Sequence, residues 1–171
     1  MTHLLELPSG RWNLLVAPSP QRVLIALAQL AHVTPLTVLD CGRRFDSSVV
    51  ARAARGRREI IDRLRIQRAF TCFEAARLLE QKRIEATPVV VLDFLSTFYD
   101  ENVKLSARKF LLEHALRLFH RLGQGAGLAV SVYAPAASDA SMPLFERLQS
   151  AAPTVSTYAM PEQGTSQPGL F

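Results

Sequence analysis

Side chains able to do chemistry are thinly spread in this chain, and their spacing removes most of the usual reactions. His3, His32, His114 and His120 have no metal-ligand spacing to one another or to a cysteine. His114 and His120 fall within one predicted helix but on different faces of it. Ser96 and Ser131 lack the GxSxG surroundings that would sharpen a serine into a nucleophile. Cys41 and Cys72 form no CxxC pair and stand among apolar neighbours, so both are expected to be buried thiols in a reducing compartment. No catalytic residue, bound metal or cofactor is expected from these residues.

What remains is charge. The chain has 171 residues, 20 of them basic, a net charge of +5 and a pI near 9.8. Nine arginines lie between Arg43 and Arg68, opposed only by Asp46, Glu59 and Asp62, and the rest of the chain is close to neutral. Arg43, Arg44, Arg52, Arg55 and Arg58 are the candidate DNA- or partner-binding residues. A spacing of three predicts that Arg52, Arg55 and Arg58 share one helix face. A polyanion or acidic protein partner fits this belt, and a plain solvated helix face fits it equally well.

The elements that must position these side chains follow from hydrophobic patterning. Apolar runs of strand length at 12–17, 36–40, 64–68, 88–95, 127–133 and 154–158 alternate with helix-length amphipathic stretches. Helices are predicted over 21–32, over a segment carrying Val49, Val50 and Ala53 that ends near Gly56, over 71–82 and 104–122, and briefly around 144–148. Thr71 with Glu74 three residues on is a capping box. The aromatics Phe94, Phe98, Tyr99, Phe110 and Phe119 read as core. Continuous apolar strands between helices imply an α/β fold, a doubly wound and mostly parallel sheet covered on both faces. Ligands of such sheets bind beyond the carboxyl ends of the strands, which directs attention to the turns after Ala17, Asp40, Asp93 and Tyr133.

One domain over 1–158 is expected, followed by a flexible Pro/Gly/Ser/Gln-rich tail over 159–171. The start carries no basic flank or long apolar run, and no stretch approaches the ~18 apolar residues of a membrane span. A cytoplasmic protein without membrane contact is expected.

The four turns carry a family resemblance. Arg65-Ile66-Gln67-Arg68-Ala69-Phe70-Thr71 looks like the "RAF-T" stretch of RadA-type proteins. Gly10-x-Trp12-Asn13-Leu14-Leu15-Val16-Ala17 resembles the strand entering the family's phosphate loop, and Val89-Val90-Val91-Leu92-Asp93 its Walker B strand. In this order and spacing, residues 10 to 160 resemble the RecA/RadA recombinase core, a RecA-like P-loop NTPase fold. The resemblance implies a nucleotide site whose parts are then missing. A phosphate loop needs GxxxxGK[ST], whose backbone N–H groups wrap the phosphates. Here Ala17-Pro18-Ser19-Pro20-Gln21-Arg22-Val23 has no glycine, and its two prolines remove donors. Arg22 stands near the lysine position and Val23 at the Mg²⁺-binding hydroxyl. Gly42 replaces the water-activating glutamate and Tyr133 the polar sensor. Arg22 and Asp93 are thus vestigial, and Asp93 is expected to serve as a capping or turn acid. APAASDASM at 134–142 takes the place of the family's DNA-binding loop without one basic residue.

The resemblance implies a non-catalytic recombinase paralogue in DNA repair, recombination or lesion bypass. Its expected partners are a RecA-type recombinase, a translesion polymerase subunit or DNA. A regulatory domain outside DNA metabolism and an atypical NTPase are the competing expectations. Gln167, Leu170 and Phe171 resemble the bacterial sliding-clamp-binding pentapeptide, with Pro168 departing from its usual leucine, so the clamp is an expected partner through the tail.

Overall fold

The computed structural model describes residues 5, 7, 10–17, 19–83, 87–135 and 139–157. Its centre is a sheet built from the apolar runs: β1 (Trp12–Val16), β2 (Leu36–Asp40), β3 (Leu64–Arg68), β4 (Val89–Leu92), β5 (Leu128–Val132) and β6 (Thr154–Thr157). Their order is β3-β2-β4-β5-β1-β6, and every pairing is parallel. The helices are α1 (Pro20–Ala31), α2 (Ser47–Ala53), α3 (Arg58–Asp62), α4 (Cys72–Gln81), α5 (Leu105–Gly123) and α6 (Met142–Ala151). The expected α/β class and doubly wound parallel sheet are what the chain forms.

The layers follow from the order of crossovers. From β1 the chain moves through α1 to β2 and on to β3, toward one edge. It then returns through α4, α5 and α6 to β4, β5 and β6. Crossovers of one hand that run in opposite directions put their helices on opposite faces. Accordingly Leu24, Leu27, Val50 and Ile60 of α1 to α3 pack with Leu15, Val38 and Val90 on one side. Leu79, Leu112, Phe119 and Leu148 of α4 to α6 pack with Leu14, Leu39 and Val91 on the other. Successive strand residues alternate between the two cores, as the pleat requires.

Helix starts agree with their local chemistry. Thr71 Oγ1 accepts from the Glu74 N–H at 3.1 Å, and Glu74 reaches back to accept from the Phe70 N–H at 2.7 Å. Two otherwise orphaned donors are thereby satisfied. Pro20 opens α1, where its missing N–H costs nothing.

Three expectations change. The β4 strand ends at Leu92, because Asp93 turns left-handed (φ 50°) and a 3₁₀ turn runs over Phe94–Phe98. The α2 helix stops at Ala53, and positive φ at Arg55 and Gly56 breaks the chain before α3. Arg52, Arg55 and Arg58 therefore lie on a helix, a turn and a second helix, and not on one helix face. Phe110, expected in the core, is 70% exposed. Trp12, Phe119, Phe94 and Phe98 make one chain of rings, with Trp12 to Phe119 at 5.1 Å, Phe119 to Phe94 at 4.8 Å and Phe94 to Phe98 at 4.8 Å, and Tyr99 is half-buried. These contacts tie β1, α5 and the 3₁₀ turn together. Phe119→Ala should cost about 3–5 kcal/mol, because the cavity is bounded by rings that cannot collapse into it. Urea unfolding of the two proteins measures it, and a loss under about 1 kcal/mol would mean that the rings do not couple these elements.

Candidate functional site

Two carboxylates are buried where ligands of parallel sheets bind. Asp40 is the last residue of β2 and Asp93 the first beyond β4, neighbouring strands whose chains leave toward opposite faces. Such a change of direction opens a crevice beyond the strand ends. In this protein the crevice holds its own side chains.

Asp40 is fully buried and organises the loop that follows it. Its Oδ1 accepts from the Arg44 N–H at 2.9 Å and its Oδ2 from the Phe45 N–H at 3.0 Å. Arg68, at the end of β3, brings its Nε to 3.6 Å from Oδ2. Closing the loop this tightly leaves Arg43 in the left-handed region (φ 54°), a conformation that costs a non-glycine residue roughly 1–3 kcal/mol.

Asp93 is 4% exposed and held by a different set. Its N–H donates to Ser131 Oγ at 3.1 Å, and that hydroxyl donates onward to the Val91 carbonyl at 3.3 Å. Its Oδ2 accepts from Arg44 Nε at 2.9 Å. The side chain makes no cap bond to the 3₁₀ turn, so the expected capping role gives way to an ion pair. Burial nevertheless pushes the Asp93 carboxyl above its usual range, with the Arg44 hydrogen bond and charge pulling it partly back. The Arg44 guanidinium also lies 5.4 Å from the centre of the Tyr133 ring. Burial pushes that phenol up to about 12, so it is neutral beside the cation.

Gly42 explains itself in this setting. A Cβ there would stand 2.1 Å from Asp93 Oδ2 and 2.7 Å from Asp93 Cβ. No side chain, glutamate included, fits unless Asp93 moves. In the sequence Gly42 and Tyr133 are separate departures from the family pattern and Asp93 is a retained residue; the fold sets Gly42 against Asp93, and Tyr133 beside the Arg44 that pairs with Asp93.

The remaining candidates are dispersed. Arg22 is exposed on the first turn of α1. Nearby, the Ala17 N–H is already donated to the Val132 carbonyl at 2.9 Å, so it is not available to a phosphate. Ser19 begins α1 without a side-chain cap bond. Arg52, Arg55 and Arg58 are exposed, at increasing distance along the chain from the crevice. Cys41 and Cys72 are buried, and burial raises both thiols, so neither is poised for reaction. Gln167, Leu170 and Phe171 lie outside the described residues. Among the described residues no cluster of His, Cys, Asp and Glu is placed to hold a metal, and no helix is long and apolar enough to cross a membrane.

Sequence reasoning missed Arg68 and Phe70. The signal was present, because the rule about carboxyl ends of strands applies to β3 as it does to β2 and β4. Arg43, Arg44 and Arg68 line one cleft of about 500 Å³, with Pro20, Gln21 and Leu24 of α1 as the opposite wall. No protein-family model matches the sequence, and no curated protein matches it.

Removing Arg44 tests the balance at Asp93. Arg44→Met strips a buried carboxylate of its cation, which costs roughly 3–5 kcal/mol where both partners are buried. Here the Arg44 side chain is 45% exposed, so about 1–2 kcal/mol is expected. The sign with pH is fixed. An acid whose folded pKa lies above its unfolded value loses stability as pH rises through the folded pKa, and losing Arg44 raises Asp93 further. The deficit should therefore be larger at pH 8 than at pH 5 in urea unfolding. An equal deficit at both would show that Asp93 is not the group left uncompensated.

Proposed function

We propose that this chain is a non-catalytic, RecA-like accessory protein of DNA repair, recombination or lesion-bypass replication, working by binding other components. The observation that carries the non-catalytic part is the closed state of Asp93. Its carboxylate is paired with Arg44 at 2.9 Å and packed against Gly42. A metal ion bridging it to nucleotide phosphates would have to displace that cation, and no glycine loop stands ready to receive the phosphates. Phosphoryl transfer depends almost wholly on such positioned charges, so their loss removes the chemistry and leaves a stable scaffold.

The biological part rests on the resemblance of residues 10 to 160 to the recombinase core, and on the tail. Gln167, Leu170 and Phe171 fit a clamp-docking peptide, whose two large apolar side chains would each gain ~2 kcal/mol or more on full burial in a partner's pocket. A RecA-type recombinase or a translesion polymerase subunit is the expected partner of the folded domain.

Two measurements test this reading. Thermal unfolding with millimolar ATP·Mg²⁺ should show no stabilisation, whereas a ligand at ~100 times its Kd would add about 2.7 kcal/mol and several degrees. Titration of a bacterial sliding clamp should show micromolar binding to the full chain, lost when Leu170 and Phe171 are removed. Stabilisation by nucleotide, with phosphate release abolished by Asp93→Ala, would overturn the non-catalytic reading. Equal clamp binding with and without the two residues would overturn the tail's role.

A further inference from the structure

The arginines that look like one basic strip in the sequence divide between the two ends of the sheet. Arg43 and Arg44 follow β2, and Arg68 ends β3, all at the carboxyl edge. From there α2 runs back, and Arg55, Arg57, Arg58 and Arg63 precede the start of β3 at the amino edge. Arg63 is committed there, donating to the carbonyls of Ala31 and His32 at 3.1 and 2.8 Å. The two groups are separated by the length of a five-residue strand, on the order of 16 Å at ~3.3 Å per residue. A nucleic-acid backbone following one continuous positive track is not what this distribution offers.

At the carboxyl edge itself, Arg43, Arg44 and Arg68 stand over Asp40 and Asp93, with Asp46 on the rim. Their long-range field is largely cancelled by these acids, so a polyanion gains little from it. What survives is local and directional. Arg44 and Arg68 turn Nε toward their internal carboxylates while about half of each side chain stays exposed at the cleft. Arg43 has no carboxylate within salt-bridge reach among the described residues, and its guanidinium lies 4.9 Å from the centre of the Phe70 ring. Phe70 is 56% exposed, and Phe73, three residues on, is 53% exposed. An exposed aromatic ring beside oriented guanidinium donors, as Phe70 lies beside Arg43, has the makings of a protein-binding hot spot.

We propose that this cleft, with Phe70 beside its Arg43, docks a short segment of a partner protein that carries an apolar side chain beside one or two carboxylates. Each carboxylate is received by the guanidinium forks of Arg43 and Arg68, the geometry that suits two parallel N–H···O bonds. The apolar side chain lies against Phe70. The loop is held in advance by the Asp40 bonds to Arg44 and Phe45, so little ordering is left for the binding step. The cleft's volume of about 500 Å³ falls within the roughly 300–1,000 Å³ of clefts that hold ligands. This inference rests on the reading that the protein acts by binding, but not on the absence of ATP turnover or on the tail.

A random dodecapeptide library displayed on phage, selected against the immobilised full chain, tests it. The expected outcome is a consensus pairing Asp or Glu with Leu, Phe or Trp. A labelled consensus peptide should lose about tenfold in affinity with Arg43→Ser and again with Phe70→Ser, measured by fluorescence anisotropy. Both residues are exposed, so folding should be unchanged by circular dichroism, and Arg58→Ser at the amino edge should bind as the parent does. No acidic–apolar consensus, or a consensus peptide that ignores Arg43 and Phe70, overturns the proposal. Tighter binding of a labelled oligo(dT) strand, lost in the same two variants, overturns it in favour of single-stranded nucleic acid. A nucleotide-induced shift in Tm alongside intact peptide binding would sink the non-catalytic reading and leave this one standing.

Discussion

Two carboxylates without bulk water govern the carboxyl edge of this sheet. Asp40 and Asp93 are both buried, and an ionised carboxylate out of water is tolerated only with opposing charge and hydrogen bonds in place. The surrounding oddities follow from meeting that demand. The β2–α2 loop bends tightly enough to deliver the N–H groups of Arg44 and Phe45 to Asp40, which forces Arg43 into a left-handed conformation. Arg44 must reach Asp93, so position 42 has to be without a side chain. Asp93 is itself left-handed, and its N–H is received by Ser131 instead of a strand neighbour. Remove the need to keep these acids partnered and none of these features has a cause.

Much of the fold was legible because it depends on patterns the chain cannot hide. A strand covered on both faces must be apolar throughout, and Val89 to Leu92 could hardly be anything else. The capping pair Thr71 and Glu74 was equally open, since it depends only on local spacing. What escaped were features decided by tertiary contact. Nothing local to Asp93 says that it leaves β4 early; Arg44, 49 residues away in sequence, and Ser131, 38 away, hold it there. Arg52, Arg55 and Arg58 have helical spacing, yet Gly56 lets the chain turn left-handed and ends the helix that the spacing presumes. Phe110 has the residue type of a core position, but α5 buries its Leu112 and Ala115 side and leaves Phe110 in solvent.

The same reasoning separates charge as composition from charge as a site. A net +5 with nine clustered arginines suggests a field that attracts polyanions. Geometry divides the work differently. Arg44 and Arg68 neutralise acids beneath them, Arg63 ties a helix end to the start of β3, and Arg108, buried on α5, donates to the carbonyls of Val103 and Phe98 at 2.9 and 3.1 Å. Arginine suits such posts because its planar fork can satisfy one acceptor inward and still offer donors outward. Counting arginines therefore overstates the free positive charge of this protein and understates its directional donors.

A crevice of this kind can keep its charged groups stable in two ways. It can remain wet and open, with its charged groups solvated, or it can fill with its own side chains. This chain takes the second course at Asp93, where Arg44, Tyr133 and Gly42 close the space from three sides. The filling has a consequence for the surface above it. Arg44 is drawn inward, Arg43 is left over Phe70, and the outward donors of Arg43 and Arg68 lie over β2 and β3. Neutralisation of Asp93 and outward display of Arg43 are then one structural event, because the same loop of four residues, Cys41 to Arg44, carries both.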